Sequence, residues 1–90
     1  MTAGRAPLEV DCRSSASTAL EPERLRFGSV VYDVAAVLDR WYEGPQRAGG
    51  AVRRYYKVRS RGGSTFLILY DETAAAWRLV KAFGPEVPAD

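Results

Sequence analysis

Residues 53–63 constrain the fold more than any other stretch, reading Arg-Arg-Tyr-Tyr-Lys-Val-Arg-Ser-Arg-Gly-Gly. Arg53, Tyr55, Lys57, Arg59 and Arg61 fall on odd positions, and Arg54, Tyr56, Val58 and Ser60 on even ones. A period of two is the pattern of a strand with one face on a core and one in water. The glycine pair that follows suits a hairpin turn, where positive φ is needed. A two-residue turn at Gly62-Gly63 sets Arg61 against Ser64, Arg59 against Phe66, Val58 against Leu67, Lys57 against Ile68, Tyr56 against Leu69 and Tyr55 against Tyr70. Tyr56, Val58, Leu67 and Leu69 then face a core. The opposite face carries Tyr55, Lys57 and Arg59 beside Phe66, Ile68 and Tyr70, with cations lying over aromatic and aliphatic side chains.

The rest of the chain continues in the same manner. Leu8, Val10 and Cys12 alternate with Glu9, Asp11 and Arg13, which marks a short strand at 8–12. It lies within an expected flexible leader, 1–23, whose residues 14–23 are small or polar and read as loop. Leu25-Arg26-Phe27 and Val30-Val31-Tyr32 flank Gly28-Ser29, a second hairpin signal. The segment 33–42 fits two patterns. Val34, Val37, Leu38 and Trp41 stand at helical spacing behind Asp33, a residue able to cap a helix. The β-branched and aromatic run Val30-Val31-Tyr32-Asp33-Val34 favours a strand, and a long strand bent at Ala35-Ala36 is the preferred reading. Glu43 to Gly50 reads as an exposed loop and Asp71 to Ala75 as a turn. Ala76 to Lys81 reads as the last strand, with Trp77 and Leu79 inward, and residues 84–90 as a frayed tail. The expected domain, 24–83, is all-β: an antiparallel meander of five or six strands forming a small SH3-like or open barrel.

Composition removes several chemistries. The chain has 90 residues, enough for one domain, and a formal net charge of +2. It has no histidine, the commonest general base and metal ligand. Cys12 is the single cysteine, so no intramolecular disulfide forms and a reducing cytoplasm is the expected setting. No signal-peptide pattern and no apolar run near the ~20 residues of a membrane span occurs. No phosphate loop or dinucleotide fingerprint is present, so no cofactor and no metal is expected. Asp39 with Glu43, and Asp71 with Glu72, are the carboxylates near enough in sequence to bind Mg²⁺ or act as an acid pair. Turn formation and solvation account for them more simply, and the chain does not read as an enzyme.

The charge is unevenly spread. No acid lies between Glu43 and Asp71, while Arg47, Arg53, Arg54, Lys57, Arg59 and Arg61 do. Such clustering bears on partners more than the net value does. Cations interleaved with tyrosines suit a single-stranded nucleic acid, whose phosphates they neutralise and whose bases stack on the rings. The candidates for that contact are Arg53, Tyr55, Lys57, Arg59, Arg61 and Tyr42. The alternative is a protein-contact or homodimer surface formed by Phe66, Ile68 and Tyr70.

Four segments in order, Val37 to Tyr42, Tyr55 to Arg59, Phe66 to Asp71 and Trp77 to Val80, give the chain a family likeness. They resemble a family of small uncharacterised bacterial cytoplasmic proteins, domains of which occur near or fused to Y-family polymerase-like proteins. The resemblance covers residues 24–82 and rests on hydrophobic spacing and on Leu38-Asp39-Arg40-Trp41-Tyr42. It implies a small β fold and a DNA-repair setting, the latter by association only.

Overall fold

The computed structural model describes residues 8–14, 20–44 and 52–85. Its strands are β1 (Leu8–Ser14), β2 (Leu20–Phe27), β3 (Val30–Glu43), β4 (Arg53–Ser60), β5 (Thr65–Asp71) and β6 (Ala76–Phe83). They form one antiparallel sheet in chain order, a meander with no helix among the described residues. The sheet curls into a half-barrel, bringing β1 back near β6 without a ladder between them. The expected all-β meander is therefore what the chain forms, in its six-stranded, open version.

The segment read as a leader contributes structure. β1 pairs along β2 from Leu8↔Phe27 to Ser14↔Leu20, and Leu8 is buried in the core. Residues 20–23, expected as loop, extend β2 at its N-terminal end. The start of the expected leader (1–7), the middle of the expected loop at 14–23 (15–19), most of the expected glycine-rich loop (45–51) and the end of the expected tail (86–90) lie outside the described residues.

The helical spacing in 33–42 has another origin. β3 is a strand throughout, and its pairing with β4 shifts register between Val34 and Ala36 and again between Val37 and Asp39. Each bulge adds one residue and resets the alternation. Val34 and Val37 therefore share the inner face although three residues apart, opposite Ser60 and Val58. The first bulge falls at the alanine pair where a bend was expected.

The hairpins differ in one decisive respect. Phe27 pairs with Val30 across Gly28-Ser29, with Gly28 at φ 63, the two-residue turn expected there. The β4–β5 turn is one residue longer than read. The Ser60 amide donates to the Ser64 carbonyl at 2.8 Å and the Gly63 amide to the Ser60 carbonyl at 3.1 Å. Arg61, Gly62 and Gly63 thus form a three-residue loop in which Gly63, at φ 97, takes the left-handed position. Val58 consequently faces Phe66 and Tyr56 faces Ile68. A one-residue slip exchanges the faces of a whole strand. Phe66 and Ile68 are completely buried, while Leu67 and Leu69 turn outward and are half-buried.

The core lies on the concave side. Leu8, Leu25, Phe27, Tyr32, Tyr56, Val58, Phe66 and Ile68 form it, with Val10, Val34, Val37, Trp77, Leu79 and Ala82 packed around them. Phe66 stands at its centre, with its ring centroid 5.0 Å from that of Tyr32 and 6.2 Å from that of Phe27. Aromatic contacts of this kind add about 0.5–1.5 kcal/mol each beyond area burial. They hold the β2–β3 hairpin against the β5–β6 half of the sheet.

Candidate functional site

Register places the residues of the outer, convex face in rows across β3 to β6. One row is Trp41, Tyr55, Leu69 and Arg78; the next is Asp39, Lys57, Leu67 and Lys81; a third is Ala36, Arg59, Thr65 and Phe83. The rings of Trp41 and Tyr55 lie parallel, 4° apart in plane and 5.2 Å between centroids. The Tyr55 hydroxyl donates to Glu43 Oε1 at 3.2 Å, which fixes the tyrosine ring beside the tryptophan. Trp41 remains 42% exposed, so the stack is open to a further ring. Lys57, Arg59, Arg78 and Lys81 are exposed around it. The result is an aromatic and aliphatic strip bordered by cations.

Electrostatics separate this face from the other half of the sheet. Arg13, Arg24 and Arg26 on β1 and β2 all lie within 4 Å of a carboxylate, with Arg26 to Asp11 at 2.8 Å, Arg13 to Glu23 at 3.0 Å and Arg24 to Asp33 at 3.1 Å. The hydrogen bond to Asp33 raises the Arg24 pKa above its ordinary value. Lys57, Arg59, Arg78 and Lys81 take part in no ion pair among the described residues. Cations therefore gather over β4 and β6 outside any such close pair, with Asp39, in register with Lys57, as the carboxylate that faces them.

The candidate residues divide accordingly. Arg53, Tyr55, Lys57 and Arg59 do share the outer face of β4. Arg53 stands in register between Glu43 and Asp71, which makes it the poorest phosphate ligand of the set. Arg61 lies in the β4–β5 loop, where its amide donates to the Asp33 carbonyl at 2.9 Å. Tyr42 is opposite Arg54 and so belongs to the inner face, because it follows Trp41 directly on a strand. Trp41 replaces it beside Tyr55. Arg78 and Lys81 join the face as well, and the signal that would have found them is their register against Leu69 and Leu67 once the longer turn is allowed. The contact patch expected of Phe66, Ile68 and Tyr70 does not exist on the outside. Phe66 and Ile68 are core, and Tyr70 is on the inner face opposite Arg54, packed 4.9 Å from Trp77.

The four carboxylates considered for chemistry have structural work. Asp71 Oδ1 accepts the amides of Thr73 at 2.9 Å and Ala74 at 3.2 Å, shaping the β5–β6 turn. Asp39 Oδ1 accepts the Arg40 amide, Glu43 accepts from Tyr55, and Glu72 pairs with Arg54. No group of three or more His, Cys, Asp or Glu among the described residues is placed to hold a metal ion. No helix among them is long and apolar enough to cross a membrane. Arg54 and Tyr56 also interact on the inner face. The hydrogen bond to Glu72 raises the Arg54 pKa, and burial raises that of Tyr56 against the opposing pull of Arg54. Burial, helped by Asp11, Glu23 and Glu21, raises that of the Cys12 thiol.

Comparison with protein-family models, with curated proteins and with solved structures finds no match. The resemblance carried by Leu38-Asp39-Arg40-Trp41-Tyr42 and its companion segments stands on those residues alone.

Proposed function

We propose that the protein is a small bacterial cytoplasmic accessory module, without enzymatic activity, that binds single-stranded nucleic acid on the outer face of β3 to β6. The observation that supports this reading is the open Trp41–Tyr55 stack bordered by four cations outside any described ion pair. Stacked rings bind bases with little sequence preference, about 1–3 kcal/mol per base, while Lys and Arg follow the phosphates. Lys57 and Arg59 are on the same strand as Tyr55, and Arg78 and Lys81 stand two strands away. A strand crossing the sheet at this level meets the two rings and then, past Leu69, Arg78, with Lys57 and Lys81 in the next row. A DNA-repair setting is suggested by the resemblance to the polymerase-associated family.

Fluorescence anisotropy of labelled single-stranded DNA and RNA tests the reading. Lys57→Glu with Arg59→Glu is expected to weaken binding by at least about tenfold at low salt. Equal binding by that double variant contradicts it.

A further inference from the structure

The opposite side of the same strands carries a second arrangement. Tyr42, Arg54, Tyr70 and Trp77 form one row across β3, β4, β5 and β6 on the concave face. The adjacent row, Arg40, Tyr56, Ile68 and Leu79, already reaches the core, since Tyr56 and Ile68 are buried. The Tyr42 row is therefore at the rim, where the half-barrel opens. Tyr42 is 71% exposed there, and Tyr70, Trp77 and Arg54 are half-buried. Trp77 lies 4.9 Å from Tyr70 and 5.6 Å from Tyr56, so an aromatic wall runs from the core out to the rim.

We propose that this rim is a binding site for one uncharged, flat heteroaromatic ring with adjacent hydrogen-bond acceptors on its edge, a guanine base being the type, seated between Tyr42 and Tyr70 over Arg54. Tyr42 and Tyr70 flank β4, two interstrand steps or roughly 10 Å apart at the backbone. Side chains converge on the concave side of a curled sheet. A ring held between two others needs roughly 7 Å between the outer planes, set by van der Waals contact. A backbone spacing of that size leaves room for one ring and not two.

Charge decides which ring. Arg54 pairs with Glu72, so the site is close to neutral and does not favour a phosphate. The same pairing fixes the guanidinium: Nε donates to Glu72 and the group also hydrogen-bonds Tyr56. An arginine carries five N–H donors, so donors are left for a ring edge. Two neighbouring acceptors, as on the O6 and N7 edge of guanine, match a guanidinium in bidentate geometry. Tyr42, the exposed ring, supplies one wall and the packed Tyr70–Trp77 pair the other. This site does not depend on the outer-face reading, because it uses the other face of the sheet.

The two tryptophans report the two faces separately, Trp41 outside and Trp77 inside. In Trp41→Phe protein, titration with guanosine is expected to change Trp77 fluorescence saturably and to shift the amide NMR signals of Tyr42 and Tyr70. Tyr42→Ala, a change at an exposed position, is expected to weaken that binding by about tenfold or more. Arg54→Gln is expected to abolish the preference for guanosine over thymidine. A guanine at the end of an oligothymidylate, compared with free guanosine, tells whether the ring comes from a chain end or from a free nucleoside. Either source supports the site. No response to both probes at millimolar concentration, or binding that survives Tyr42→Ala together with Arg54→Gln, overturns it. Nucleic-acid binding on Trp41 with a silent Trp77 leaves the outer-face reading intact while this one fails.

Discussion

Ala75 is the one described non-glycine residue with positive φ, at 53, closing the turn that Asp71 shapes. The left-handed conformation costs an L-residue roughly 1–2 kcal/mol that glycine avoids. Ala75→Gly is accordingly expected to stabilise the protein by about 1 kcal/mol, after the extra chain entropy of glycine is subtracted. In a domain of this size that is a rise of roughly 4–8 °C in melting temperature. An unchanged or lower midpoint in thermal denaturation contradicts it. Cys12 and Tyr56 make a pH prediction. Both folded-state pKa values are raised above the ordinary 9.0 and 10.0, in each case first by burial. A group of this type binds its proton more tightly when folded, so its contribution is complete below the ordinary value and is lost as pH climbs through the folded one. Melting temperature should fall as pH rises above 9, and the fall should be shallower in Cys12→Ser with Tyr56→Phe. Melts between pH 8 and 10.5 on the two proteins measure this.

The strands show which parts of the fold the sequence makes legible. Alternation in 53–60 reads β4 and its two faces correctly, because each side chain there follows the period of two without a bulge. Gly28-Ser29 reads correctly because the glycine stands at the first central position of a two-residue turn. Gly62-Gly63 misleads, since only Gly63 needs positive φ and Arg61 belongs to the loop. The strand that follows, Phe66-Leu67-Ile68-Leu69-Tyr70, is apolar on both faces, so its own pattern cannot correct the slip. A two-residue turn therefore puts Phe66 and Ile68 on the outer side, and with them the contact patch, where the chain buries both. On β3 the two one-residue bulges cancel, so plain alternation from Tyr32 sets Trp41 outward and Tyr42 inward; counting only the bend at Ala35-Ala36 reverses the pair and puts Tyr42 in place of Trp41. The register makes a quantitative prediction. Ile68→Ala is expected to cost about 2–5 kcal/mol, as a buried aliphatic deletion does. Leu69→Ala, on the outer face, should cost roughly 1 kcal/mol or less. Urea denaturation of the two variants decides between the registers, since the two-residue turn predicts the reverse order.

The molecule as a whole is a six-stranded sheet curled around one core, with no helix on either side among the described residues. Among the described residues no element covers its outer face. Aliphatic stems of Lys57, Arg78 and Lys81 can lie over Leu67 and Leu69, which keeps an apolar strip compatible with solubility while its charged heads remain in water. Over β1 and β2 the arginines pair with Glu9, Asp11, Glu23 and Asp33, while Lys57, Arg59, Arg78 and Lys81 make no ion pair among the described residues. This asymmetry gives a protein of small net charge one face suited to a polyanion. Binding through three to five phosphates should show a logarithmic salt dependence with a slope of roughly −2 to −3.5 for a single strand. The most direct test places the reporter in the stack itself. In Trp77→Phe protein, Trp41 is the sole tryptophan, and its fluorescence is followed as oligothymidylate is added at low and at near-physiological salt. Saturable quenching that weakens with that salt slope is the predicted result. Unchanged Trp41 emission at low salt, with the protein folded, contradicts a base-stacking platform on this face.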